Sequence, residues 1–168
     1  MGYTTEFDGQ FTLDGRLSSA QERFLRKFSD SRRMKRDVSK IEKSEDHLNV
    51  KVGLGYGVDG EYFVDGEGDF GQGDEDNIVN YNEPPTTQPG LWCQWVPTRE
   101  GRGIEWNGSE KFYNYVEWLQ YIINRFLAPW GYTLTGEVNW EGEDNSDMGK
   151  IIVKDNKITT KVATITYN

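Results

Sequence analysis

The stretch GIEWNGSEKFYNYVEWLQYIINRFLAPWGYTLTGEVNW, residues 103–140, decides how this chain folds on paper. Ile104-Glu105-Trp106 reads as a short strand after the turn residues Arg99-Glu100-Gly101-Arg102-Gly103. Asn107-Gly108-Ser109-Glu110 carries helix-cap chemistry, with Glu110 placed to complete a capping box. Phe112, Val116, Leu119, Ile122 or Ile123, and Phe126 then recur at helical spacing. Ala128-Pro129-Trp130-Gly131 stops that helix, because proline disfavours helix in the residue before it. Tyr132, Leu134, Val138 and Trp140 next alternate with Thr133, Thr135, Glu137 and Asn139, the period of a half-buried strand.

Working outward, residues 3–13 also alternate, with Phe7, Phe11 and Leu13 opposite Glu6, Asp8, Gln10 and Thr12. Ser18 or Ser19 can cap a helix with Gln21 or Glu22 three residues on. Phe24, Leu25 and Phe28 form its apolar stripe, and it ends near Asp30 or somewhat beyond. Leu91–Val96 reads as a strand with Trp92 and Trp95 on opposite faces, and Glu61–Val64 as a short one. Lys150–Lys154 and Lys157–Ile165 form a hairpin across Asp155-Asn156, a link suited to a primed turn. The principal elements therefore run β-α-β-β-α-β and then a hairpin. That order predicts an α+β fold: an antiparallel sheet with two helices on one face, ferredoxin-like, extended by the C-terminal hairpin. Residues 1–168 are expected to form a single domain, with a long Gly- and acid-rich excursion at about 37–90. No internal repeat is visible.

Composition excludes several chemistries. The 168 residues hold one cysteine, Cys93, and one histidine, His47. They cannot build an intramolecular disulfide or a His-rich zinc cage. His47 sits in the charged segment Ser44-Glu45-Asp46-His47 and reads as a surface histidine, not the base of a triad. Cys93, alternating with Trp92 and Gln94 inside a strand, reads as a buried structural thiol, not a nucleophile. No apolar run approaches the ~18 residues of a membrane span. Met1-Gly2-Tyr3-Thr4-Thr5-Glu6 lacks the basic and apolar regions of a signal peptide, so a cytoplasmic location is expected.

The net charge of −9 hides an asymmetry. Ten basic residues and four acids lie between Arg16 and Lys43, a local +6 against −15 elsewhere. The densest run is Arg32-Arg33-Met34-Lys35-Arg36. Guanidinium groups there can grip phosphate in a bidentate fork, and the plainer alternative is a solvated helix face paired with acids of the body. Six tryptophans, nine tyrosines and eight phenylalanines exceed what one helix stripe needs and suit stacking on a base or anchoring a partner.

Gly55-Tyr56-Gly57-Val58-Asp59-Gly60 and Gly66-Glu67-Gly68-Asp69-Phe70-Gly71 both match G-x-G-x-x-G. Neither follows a strand and opens a helix, so neither reads as a dinucleotide site. The acids of residues 65–76 lack the glycine position of a Ca²⁺ loop and read as solvating charge. Glu137 and Glu141 share a polar strand face, with Glu105 near them across the sheet, which leaves carboxylate or metal-assisted catalysis as an alternative.

Phe28–Asp37, Gly90–Thr98, Ile104–Trp118 and Ala128–Val138, continuing to Asp144, resemble segments of a family of small bacterial and phage hypothetical proteins. The resemblance brings no fold, activity or ligand with it and implies a bacterial or phage cytosolic setting. The function expected is a non-enzymatic binder of a phosphate-bearing small molecule, such as a nucleotide or cyclic nucleotide. In a phage or bacterial setting it would be a defence-related sequestering protein. Arg32, Arg33, Lys35 and Arg36 would hold phosphate, and Tyr62, Trp95 or Trp106 would stack on a base. The alternatives are a protein–protein interaction module, dimeric or not, and an enzyme using Glu105, Glu137 or Glu141. No cofactor, catalytic residue, metal or membrane contact is expected. Duplex nucleic acid is disfavoured, because an acidic body repels the backbone.

Overall fold

The computed structural model describes residues 2–164. The fold is α+β, and all strand pairing in it is antiparallel. The chain divides into two compact units, Met1–Arg16 with Gln94–Asn168, and Leu17–Cys93. The expected excursion at 37–90 falls wholly within the second unit.

The first unit is built on a six-stranded sheet. Its strands are β1 (Thr5–Leu13), β4 (Trp95–Pro97), β5 (Gly103–Trp106), β6 (Leu134–Gly142), β7 (Met148–Lys154) and β8 (Lys157–Val162), in spatial order β4-β5-β1-β6-β7-β8. The long ladder joins β1 to β6, from Thr5 opposite Gly142 to Leu13 opposite Leu134. That register puts Phe11 and Val138 on the buried face and Glu6, Asp8, Glu137 and Glu141 on the open one. Phe7 is the hub of the aromatic core. Its ring lies 5.4 Å from Trp95, 5.4 Å from Trp106, 5.7 Å from Phe112 and 4.9 Å from Tyr115, in edge-on or tilted arrangements. Trp95 and Trp118 are fully buried, and truncating either would cost about 3–5 kcal/mol.

The helix α3 (Tyr115–Ile122) begins later than its sequence suggests and runs on as one π turn, Ile123–Leu127. The expected cap at Asn107–Glu110 is diverted. The Asn107 side chain accepts from the Ser109 N–H at 2.9 Å, closing a local turn instead of a helix. Lys111 and Asn114 then take positive φ of 60° and 57°, which interrupts any helix through them. Phe112 is thus a buried loop residue, not the first residue of the helical stripe. The C-terminal hairpin forms as expected. Asp155 and Asn156 have φ of 50° and 67°, the two positive values of a type I′ link. Ile165, read as the last hairpin residue, lies outside the described residues.

The second unit contains α1 (Ser19–Asp30), the two-residue β2 (Lys35–Arg36), the short α2 (Leu48–Lys51) and β3 (Ile78–Asn80). Ser18 caps α1 through the Gln21 N–H while the Gln21 side chain accepts from the Ser18 N–H, a complete capping box. Phe24, Leu25 and Phe28 are its buried face, as the spacing requires. Glu61–Val64 is not a strand. The Glu61 and Phe63 carbonyls accept side-chain N–H groups instead of entering a ladder. The strand expected at Leu91–Val96 is confined to Trp95–Pro97. Cys93 is buried and in no disulfide.

Candidate functional site

The basic run leaves α1 as extended chain, not as a solvated helix face. Its backbone is tied down at each step: Arg33 N–H to the Leu91 carbonyl, Lys35 N–H to Glu83 and Asp37 N–H to Asn77. This path turns Arg33 and Arg36 inward, to 2% and 5% exposure. The Arg33 Nη2 donates to the Glu61 and Phe63 carbonyls, each at 2.9 Å, and its guanidinium lies 4.5 Å from the Phe28 ring centre. The Arg36 Nη1 donates to Glu75 at 2.7 Å and Asn77 at 2.6 Å, and its Nη2 to the Gly71 carbonyl at 2.9 Å. Its guanidinium also covers the Phe63 ring at 5.1 Å. A fork engaged in this way organises main chain.

The main chain it organises is a pair of glycine loops with one shared backbone shape, invisible in the sequence. In each, an extended glycine at positive φ (Gly57, 73°; Gly68, 77°) leads into a 3₁₀ turn. The third residue after it is a left-handed glycine (Gly60, 72°; Gly71, 67°). Between them stands a non-glycine residue in the left-handed region, Asp59 at 56° in one loop and Phe70 at 56° in the other. Asp59 is anchored: its Oδ2 accepts from the Thr86 N–H and hydroxyl, both at 3.1 Å. Among the described residues, Phe70 is held through its backbone and one ring edge. Its carbonyl accepts from the Arg32 N–H at 3.0 Å, and its ring stands edge-on to Trp92 at 5.9 Å.

Phe70 is 57% exposed. A bulky residue held at positive φ with its ring in solvent combines two unfavourable features at one position. Beside it lies Arg32, whose N–H meets the Phe70 carbonyl and whose guanidinium sits 6.0 Å from the Trp92 ring. The Arg32 Nε donates to the Tyr81 carbonyl at 2.8 Å and Nη2 to Asn82 at 3.2 Å. Val79 and Tyr81, two residues apart, are also exposed. The sequence marks Trp92 as one of its surplus aromatics but gives no site role to Phe70, Val79 or Tyr81. The available signal was Phe70 itself, an aromatic set between Asp69 and Gly71 in an otherwise polar loop.

The predicted site residues are therefore not all alike. Arg33 and Arg36 are internal, Arg32 is part of the aromatic surface, and Lys35 and Tyr62 are half-buried. Trp95 and Trp106 belong to the first unit. Trp95 is buried with its Nε1 donating to the Tyr115 carbonyl at 2.8 Å, and Trp106 donates to the Gln94 side chain at 3.0 Å.

The second unit also has a polar cavity of about 430 Å³, lined among others by Lys40, His47, Asp65, Glu67, Asp74 and Glu75. His47 is not the surface residue its neighbours suggest. It is half-buried, its Nδ1 lies 2.8 Å from the Tyr56 hydroxyl, and its ring meets Phe63 edge-on. Asp65 accepts from the Leu48 N–H and pairs with Lys27 at 3.6 Å, while Glu75 is engaged by Arg36. Among the described residues no three acids, cysteines or histidines are placed to hold a metal ion.

On the first unit, Glu137 and Glu141 do share the open face of β6. Their Cα atoms stand about 13 Å apart along the strand. Glu137 pairs with Lys150 at 3.6 Å. The unusual titration lies elsewhere. Burial, then Asp147, Glu117 and Tyr3, push the Tyr115 hydroxyl up to about 12. Asp37 is lowered by hydrogen bonds from the Ser39 hydroxyl and N–H.

No helix among the described residues is long and apolar enough to cross a membrane. Comparison with protein-family models, with curated proteins and with solved structures finds no match to this chain.

Proposed function

We propose that this chain is a non-enzymatic binding module that docks a protein partner through the Phe70 loop. The observation that carries the reading is Phe70: exposed, backbone-strained, and fixed by two glycines and the Arg36 fork. Strain at an exposed aromatic is retained where the residue is used, and aromatic side chains are favoured anchors at interfaces. Trp92 meets the ring edge-on, and the exposed acids Glu67, Asp69 and Asp74 edge the loop. The partner this surface fits presents an apolar pocket with a basic rim. Capture from bacterial extract, with the isolated complex then titrated by calorimetry, tests it. Phe70→Ala should weaken binding by about 2 kcal/mol or more, and Thr159→Ala, on the other unit, should leave it unchanged. Equal binding by a folded Phe70→Ala variant would overturn the assignment.

A second reading rests on Arg32. Among the described residues its Nη1 has no hydrogen-bond partner, and its guanidinium lies beside Trp92, the pairing that a phosphate-bearing aromatic ligand uses. The sequestering of a nucleotide or cyclic nucleotide in a bacterial or phage cytosol is kept on that basis, with Arg32 and Trp92 in place of the four-cation cluster. A thermal-shift panel of nucleotides tests it, since ligand at a hundred times Kd adds about 2.7 kcal/mol. A shift abolished by Arg32→Ala supports this reading, and no shift with any member removes it.

In the sheet order β4-β5-β1-β6, the first and third strands of a split β-α-β-β-α-β motif, β1 and β5, are central. The second and fourth, β4 and β6, flank them, which supports a ferredoxin-like arrangement with the β7–β8 hairpin added beside the fourth strand.

A further inference from the structure

The sheet of the first unit has two edges, and they are finished differently. β4 is three residues long and ends in Pro97, which has no N–H to offer. β8 is six residues long, β-prone in composition, and among the described residues pairs with β7 alone. Ile158, Thr160 and Val162 share a face with Val153, Ile151 and Gly149, the buried face of the sheet. Yet Ile158 is only half-buried, Thr160 is exposed, and Val162 is 70% exposed. The core layer stops one strand short of the sheet.

Hydrogen-bond parity identifies what can pair there. The Ala163 N–H donates to the Met148 carbonyl at 2.8 Å. In an antiparallel ladder this alternation turns Lys157, Thr159 and Lys161 toward β7, and leaves the N–H and C=O groups of Ile158, Thr160 and Val162 pointing outward. We propose that the β8 edge pairs with β8 of a second copy of this chain, antiparallel about a two-fold axis at Thr160.

The register follows from the side chains. Centred on Thr160, Ile158 faces Val162 of the second copy, Thr160 faces Thr160, and Val162 faces Ile158. All of them have outward-pointing backbone groups and lie on the buried-face side. Lys161 then faces Thr159, and Lys157 faces Ala163. Moving the axis to Thr159 sets Lys157 directly against Lys161 twice, and moving it to Lys161 sets Lys161 against itself. Both oppose like charges. An axis between residues would match outward-pointing groups with groups already bonded to β7. The axis at Thr160 therefore joins the most strand without a charge conflict. Because the β4 edge is blunted, pairing closes as a two-fold dimer and does not propagate. This surface is separate from the Phe70 loop, and neither assignment depends on the other.

Analytical ultracentrifugation of the full chain tests it. The wild type should show a concentration-dependent dimer. Thr160→Lys and Thr160→Glu each place like charges at the axis and should weaken the dimer at least about fivefold. An equimolar mixture of the two variants should restore it, since Lys then faces Glu. Thr160 is exposed, so both variants keep the fold, which circular dichroism checks. Independently, hydrogen exchange at Ile158, Thr160 and Val162 of the wild type should slow as concentration rises. A wild type that stays monomeric, a dimer that both variants leave intact, or a mixture no tighter than either variant alone would each overturn the proposal.

Discussion

Replacing Arg36 by Met removes the fork that holds the Phe70 loop while keeping most of the side-chain volume. The structure sets the size of the effect. Arg36 is 5% exposed and donates to Glu75, Asn77 and the Gly71 carbonyl at 2.6–2.9 Å, and the Glu75 side chain is only 15% exposed. Removing the cation strands a largely buried carboxylate and a carbonyl. Breaking a buried pair from one side costs about 3–5 kcal/mol, a large share of the 5–15 kcal/mol that holds a typical domain. Much of that cost comes from the uncompensated charge, so Arg36→Met with Glu75→Gln should be milder than the sum of the single variants by about 1 kcal/mol or more. Urea unfolding followed by fluorescence and circular dichroism gives the energies. Amide exchange over residues 66–77 shows whether the loop loosens first. Lys40→Ala, at an exposed site, should stay within about 0.5 kcal/mol. If Arg36→Met cost under about 1 kcal/mol, or if the pair were strictly additive, the fork would not be what holds the loop.

Phe70→Gly relieves the positive φ and loses one edge contact with Trp92, so urea unfolding should find it within about 1 kcal/mol of wild type, on the stabilising side. A loss above about 2 kcal/mol would make the ring structural. Gly149→Ala would press a Cβ against the Trp140 ring and the Lys161 carbonyl, and should lower thermal stability by about 1–3 kcal/mol through a shifted hairpin. The Tyr115 hydroxyl is raised from 10 to about 12, so its neutral form is the one the fold favours. Its stabilising contribution is complete below pH 10 and is lost as pH rises through 12. Tyrosinate absorbance in an alkaline titration should show one late step, and Tyr115→Phe should remove it.

How much of this was legible in the sequence varies by element, for physical reasons. β1, β6 and the hairpin follow from alternation, because one buried face fixes their period and register. α1 follows from Ser18 and Gln21, a cap whose partners are three residues apart. The start of α3 does not, because Asn107 and Ser109 serve a local turn as readily as a helix, and only tertiary context chooses. The basic run misleads for a similar reason. The acceptors of Arg33 and Arg36 are mostly main-chain carbonyls and side chains 28 to 41 residues away, and no local pattern announces them. The twin glycine loops are legible as motifs but not as equivalent shapes, since the residues that define them, Asp59 and Phe70, have nothing in common but their backbone.

The burial of Arg33 and Arg36 also changes what the net charge of −9 means for binding. Two charges of the basic segment face inward, while Glu67, Asp69, Asp74 and Asp76 of the neighbouring loop stay exposed. The field around Phe70 is therefore dominated by acids, with Arg32 the cation beside it. A partner with a basic rim is steered toward such a surface, and its association rate falls as salt screens the attraction over a Debye length of about 10 Å at 0.1 M. A nucleotide approaching Arg32 meets the opposite situation, because the surrounding acids repel it until salt screens them. The two readings of the site thus differ in the sign of the salt effect on association rate. Stopped-flow measurement with either ligand class separates them without a variant. A rate that rises with salt for a captured protein partner would refute docking through the acid-edged Phe70 loop.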